Sequence, residues 1–170
     1  MPTLVATAGS ATANAYATVA AGDTYFDERL QASAWTGESD EDVKERALIM
    51  ATRQLDTLDF VGFKNSTEQA LEWPREDAWD RDGEPYATDS IPTLIQHATF
   101  EVALDLLNGN ADGTDRFAND GLERFDRAKI GVLEVEPNHG RRQAQIPDRV
   151  LRMLAHVRRS AGLMAELVRS

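Results

Sequence analysis

Gln69-Ala70-Leu71-Glu72-Trp73-Pro74-Arg75 is the stretch on which the reading of this chain turns. It follows a long amphipathic helix pattern and precedes an acidic turn, Asp80-Arg81-Asp82-Gly83, and a second helix opening at Ser90-Ile91-Pro92. Pro74 disfavours helical geometry at Trp73, because the ring clashes with the preceding residue's backbone. The stretch therefore reads as a step between two helices. Trp73 offers a large apolar anchor, and Arg75 a planar cationic fork beside it. The simplest expectation is that Trp73 fills the gap between the helices and Arg75 pairs with a neighbouring acid.

Working outward, residues 60–90 form a long connection with Phe63, Trp73 and Trp79 as aromatic anchors. Such a loop is functional or held down by its own side chains. Upstream, the spacing of Val43, Ala47, Met50, Ala51, Leu55 and Leu58 predicts a helix over about 40–59, with Ser39 and Asp42 as a capping signal. Before it, Thr18 caps a helix over about 19–32 with Phe26 and Leu30 inward, and Asn14 to Thr18 suggest a short strand. Downstream, Ser90 caps a helix to about Leu107 with Pro92 in its first turn. The stripe of Ile95, Ala98, Val102 and Leu106, widened by Leu94, Ala103 and Leu107, marks that helix as central. Asn108 to Gly121 reads as a break. Ala128, Ile130, Val132 and Val135 suggest one or two strands bending at Gly131, and Pro137-Asn138-His139-Gly140 a turn. Pro147 opens a last helix over about 147–158, with Val150, Leu151, Leu154 and Val157 inward. The fold class expected is mainly α: a small helical bundle with a short β element near 125–136 and a C-terminal helix. Its parts are a flexible or extended arm over 1–13, a helical core over 14–140 and a basic segment over 141–170.

The chain has 170 residues, a length that suits one domain with a sizeable core. No apolar run approaches the length of a membrane span. The N-terminus lacks the basic region of a secretory signal. Zero cysteines exclude disulfides and thiolate metal sites, and fit a product made in the cytoplasm. Charge is uneven. Residues 1–120 hold 23 acids and 8 bases, whereas residues 121–170 hold 6 acids and 10 bases, giving net charges of −15 and +4. The larger part should repel nucleic-acid phosphate. The basic part could dock on an acidic partner or on a neighbouring copy's acidic body.

No catalytic signature is present. His97, His139 and His156 have no metal-ligand spacing. His97 and Glu101 share a helix face, which is the ordinary setting of a surface or interface histidine. Asn108, Asn110, Asp112 and Gly113 imitate the start of a calcium loop. The twelfth place is Asn119, so the bidentate carboxylate is missing, and turn chemistry accounts for the same residues. The expectation is no enzyme, no metal and no cofactor. A base-stacking surface needs aromatics interleaved with cations. Here Trp35, Phe63, Trp73, Trp79 and Tyr86 stand among Glu72, Glu76, Asp77, Asp80 and Asp82.

In order and spacing, four further features surround the Trp73-Pro74-Arg75 step: the Tyr16 to Phe26 segment, Ala34-Trp35, Ile91-Pro92 with Ala98 to Leu104, and Ile146-Pro147 to Leu154. Over roughly residues 14–157 the chain thereby resembles the head–tail adaptor (connector) proteins of tailed bacteriophages, a family often labelled DnaT-like single-stranded-DNA-binding proteins. The resemblance implies a structural virion protein of the neck, forming a ring of about twelve copies through heterologous contacts. Its partners would be the portal protein and a stopper or tail-terminator protein. Genomic DNA would pass through an acid-lined channel without specific binding, and no membrane would be involved. Trp73, Pro74, Arg75, Trp35 and Trp79 are the expected structural anchors. Arg141, Arg142, Arg149, Arg152, Arg158 and Arg159, with Leu151 and Leu154, are the expected contacts to the portal or a neighbour. The alternative is a single-stranded-DNA-binding accessory protein of phage replication.

Overall fold

The computed structural model describes residues 3–110, 129–130, 133–134 and 146–159. The described helices are α1 (Val19–Asp27), α2 (Ser33–Thr36), α3 (Glu41–Leu55), α4 (Thr93–Asn110) and α5 (Asp148–Met153). Two small antiparallel pairs accompany them. β1 (Phe63–Lys64) lies against β2 (Arg75–Glu76), and β3 (Lys129–Ile130) against β4 (Leu133–Glu134). The molecule is mainly α, and its core is the packing of α3 on α4, with α1, α2 and α5 closing the sides.

α4 is central for the reason its composition suggests. Ile95, Ala98, Val102, Ala103, Leu106 and Leu107 are all buried. The helix starts after Pro92, whose carbonyl accepts from the Ile95 and Gln96 amides, rather than at Ser90. It also continues to Asn110, so Asn108 and Asn110 are helical, not the start of a loop.

α3 is capped by the Asp40 side chain, which accepts from the Asp42 amide, so the cap lies one residue after Ser39. Its buried arc is Ala47, Leu48, Ile49, Ala51, Thr52 and Leu55. Met50 is 46% exposed. At about 100° per residue it falls roughly 150° from the centre of that arc, a face that its spacing from Ala47 alone does not reveal.

α1 is capped by Thr18, whose hydroxyl accepts from the Ala21 amide. It ends at Asp27, short of the expected 32. Gln31 has φ +59, the left-handed region that interrupts a right-handed helix, and Leu30 is 89% exposed, not inward. Asn14 to Thr18 is not a strand. Asn14 instead bonds to the preceding segment: its Oδ1 accepts from the Val5 amide and its Nδ2 donates to the Thr3 carbonyl. Ala70 N–H donates to the Ser10 carbonyl, so residues 3–13 are pinned to the connection.

α5 ends at Met153, earlier than the expected 158, and residues 154–157 continue as turns. Val150, Leu154 and Val157 are fully buried. The chain then runs beside the start of the connection. Val61 N–H donates to the Val157 carbonyl, and Arg159 N–H to the Asp59 carbonyl. β3 and β4 lie within the β element expected near 125–136. Gly131, the 137–140 turn, Asp112, Gly113, Asn119, Arg141, Arg142 and residues 160–170 lie outside the described residues.

Candidate functional site

The connection closes on Trp73. Its ring is 1% exposed, and Phe60 and Tyr86 meet it edge-on at 5.6 and 5.7 Å between centroids. The Trp73–Pro74 peptide bond is cis. Trp73 N–H donates to the Tyr16 hydroxyl at 3.3 Å, and that hydroxyl donates to the Asp56 carboxylate at the end of α3. Tyr16 N–H in turn donates to Thr52 Oγ1. One tyrosine thus joins the segment before α1, the end of α3 and the connection. Burial, aided by the Glu72 charge, outweighs the lowering effect of the Tyr16 hydrogen bond, the Glu72 backbone hydrogen bond and the Lys64 charge, and leaves Asp56 pushed up to about 6. Burial followed by the Asp56 charge raises Tyr16 well above its ordinary value.

Arg75 is a clamp. Its Nε donates to the Val61 carbonyl at 2.8 Å, Nη1 to the Glu72 carbonyl and carboxylate at 3.1 and 2.7 Å, and Nη2 to the Gly62 and Phe60 carbonyls at 2.9 and 3.5 Å. A guanidinium has five N–H donors, and all five are directed into the chain's own loop. Arg75 pairs with the neighbouring acid Glu72 and is 7% exposed, so it has no donor left for a phosphate. Gly62 has φ +71, and its carbonyl lies where Arg75 needs an acceptor.

A second cluster surrounds Glu101, an acid in the apolar surroundings of α4. Tyr25 Oη donates to it at 2.7 Å, Arg29 Nε lies at 2.6 Å and Arg149 Nε at 2.8 Å. Burial alone would raise the Glu101 carboxyl, but the hydrogen bonds from Tyr25, Arg149 and Arg29 outweigh it and hold the group below the ordinary value. Arg149 also bonds to Asp105. The cluster ties α1, α4 and α5 together. Trp35 is fully buried; its Nε1 donates to Asp23 at 2.8 Å and Lys44 lies 5.2 Å over its ring.

The expected anchors therefore divide. Trp73, Pro74, Arg75 and Trp35 are interior, while Trp79 is 50% exposed. The expected docking residues divide as well. Leu154 belongs to the chain's own core and Leu151 is half-buried, because α5 covers α4. Arg149 is turned to Glu101 and Asp105, and Arg158 forms a backbone bridge with Phe60. Arg152 and Arg159 are exposed. Tyr16 and Asp56 were missed because nothing local links residues 40 apart. Glu101 carried a signal, a lone acid within an apolar stripe, although it was read beside His97 rather than as a partner of arginines.

Between α1 and α4 lies an open cleft of about 400 Å³ over Tyr25, His97 and Phe100. Arg29 at its edge is already committed to Glu101 and to the carbonyls of Leu30 and Gln31. No helix among the described residues is long and apolar enough to cross a membrane.

Residues 1–170 match the family model described as "Putative DnaT-like ssDNA binding protein". No curated protein and no solved structure matches the chain. The match spans the full sequence, including the Trp73-Pro74-Arg75 clamp and the α3–α4 core, so the chain belongs to that family.

Proposed function

We propose that the protein is a structural virion component, the head-to-tail adaptor of a tailed bacteriophage, which forms a ring below the portal, extends the DNA channel and links the head to a stopper or tail protein. The observation that carries this reading is the fate of the cations. Arg75 and Arg149 are engaged by the chain's own acceptors, and among the described residues acids outnumber bases, with Glu76, Asp77, Asp82 and Glu84 exposed. A surface of that sign lets a duplex pass without the tight, salt-dependent contacts that phosphate neutralisation creates. The resemblance over residues 14–157 supports the same reading. The ring would use heterologous contacts between copies. No enzymatic step and no cofactor is part of the proposal. Electron microscopy of the full chain mixed with its portal tests it, with added ring density below the portal as the expected result. Portals that remain undecorated at micromolar protein would refute it.

The second reading, a single-stranded-DNA-binding accessory protein of replication, is favoured by the family's description, which names single-stranded DNA and says nothing of a virion. It is also favoured by two exposed aromatics, Phe63 and Trp79, on a connection that carries Lys64 and Arg81. Titration of a labelled oligonucleotide across salt concentrations separates the readings. Sub-micromolar binding near physiological salt with a steep salt slope establishes the second.

A further inference from the structure

Phe63 is 64% exposed and Trp79 50% exposed, and both sit on ordered backbone. Phe63 lies in β1 opposite Glu76 of β2. Trp79 is bridged to Pro85 across a turn that Asp80 closes by accepting from the Asp82 and Glu84 amides. Two fixed, exposed aromatics are typical of contact surfaces, where tryptophan is enriched among the residues that carry binding energy.

The charge around them selects the partner. Glu76, Asp77, Asp82 and Glu84 are exposed. Of the cations on or beside this connection, Arg75 is used inside the loop and Lys64 is paired with Glu72 at 3.1 Å. Arg81 rests 3.5 Å from His156 Nδ1, and Arg159 is drawn to the Gly62 carbonyl at 3.5 Å. Carboxylates are therefore in excess.

We infer that the connection carrying Phe63 and Trp79 is a docking surface for a basic protein segment, whose arginines stack on these exposed rings and pair with Glu76, Asp77, Asp82 and Glu84. Arginine over an aromatic face is attracted by the ring quadrupole, and its fork matches a carboxylate. A nucleic-acid strand would meet the same carboxylates with phosphates and be repelled. The inference rests on the assembly reading above, since it supplies a contact for a protein neighbour.

The test titrates the full chain with a short oligo-arginine peptide and, separately, with oligo(dT), following tryptophan fluorescence and heat of binding. Trp35 and Trp73 are 0% and 1% exposed, so contact quenching reports on Trp79. Oligo-arginine should quench, with a Kd that weakens about tenfold from low to physiological salt as screening shortens the range of the charges. By calorimetry, Trp79→Ser and the double variant Asp82→Lys, Glu84→Lys should each weaken binding about tenfold with unchanged circular dichroism. The same charge change elsewhere, Asp27→Lys with Glu28→Lys, should leave Kd within about twofold, since those exposed acids belong to the end of α1 and not to the connection that carries the two rings. Binding that survives the first two variants, binding equally sensitive to the Asp27, Glu28 change, binding of neither probe, or capture of oligo(dT) at this face would each overturn the inference. Portal rings that still form with Trp79→Ser would reject this face as the contact while leaving the assembly reading standing.

Discussion

Asp56 makes a pH dependence opposite in sign to that of ordinary paired carboxylates. Its carboxyl lies among Tyr16, Glu72 and Lys64, and burial lifts it from 3.8 to about 6. In the unfolded chain it titrates near the ordinary value. Between about pH 4 and pH 6 the folded protein holds a proton that the unfolded chain has released. Stability from this group is complete below the lower value and is lost as pH rises through the higher one. The separation of about two units corresponds to about 3 kcal/mol at most, and solvent at the half-buried carboxyl trims it. Asp56→Asn keeps an oxygen to accept from Tyr16 but cannot ionise. Urea unfolding of both proteins from pH 4 to pH 8 isolates the effect, because carboxylates such as Glu101, which titrate in the other direction, cancel in the difference. The stability of the native protein minus that of Asp56→Asn should fall by about 2–3 kcal/mol between pH 4 and pH 7, then level off. A flat difference, or one that rises with pH, would refute the reading of Asp56 as an acid that the fold holds protonated.

Three further outcomes follow from packing. Trp73→Ala should cost about 3–5 kcal/mol by thermal melting, since the ring is the meeting point of Phe60 and Tyr86; a melting temperature equal to the native one would remove Trp73 from the core. Gly22→Ala should cost about 1–3 kcal/mol, because a Cβ there would lie 2.6 Å from Trp35 Cζ2, and a neutral result in urea unfolding would mean that the indole can shift. A chain ending at Gln145 should lose its cooperative circular-dichroism transition: Val150, Leu154 and Val157 are each fully buried and contribute about 1.5–3 kcal/mol apiece, against a total of roughly 5–15 kcal/mol for a domain. A truncated chain that melts cooperatively would instead free this segment for docking on a partner.

The long periodic elements were legible. α4 was found because an apolar stripe persists over several turns, and Thr18 because a capping hydroxyl is a local signal. Boundaries were lost where the backbone leaves the helix without a residue pattern to announce it, as between Asp27 and the left-handed Gln31. The Trp73-Pro74-Arg75 step was legible as an anchor because its chemistry is local: a ring to bury and a fork to pair. How completely Arg75 is consumed was not, since its acceptors are backbone carbonyls of Phe60, Val61 and Gly62, which every sequence has. The Glu101 cluster depends on Arg29 and Arg149, which are distant in sequence and meet it only in the fold. The basic run ending at Arg159 looked like a surface feature because charge is counted along the chain. The fold spends Arg149 on Glu101 and Asp105 and the apolar side of α5 on its own core.

The closing of the core by residues 146–159 also sets a timetable for synthesis. α3 and α4 leave the ribosome with their apolar faces complete, yet Val150, Leu154 and Val157 arrive later. At about 5–20 residues per second the interval is several seconds. During it the nascent chain presents an uncovered flank of α4, and the Val61 amide has no Val157 carbonyl to meet. Maturation of the domain is therefore tied to translation of residues 146–159. A premature stop after α4 would yield an aggregation-prone fragment instead of a smaller functional protein. The cell would handle such a product through chaperones and proteases.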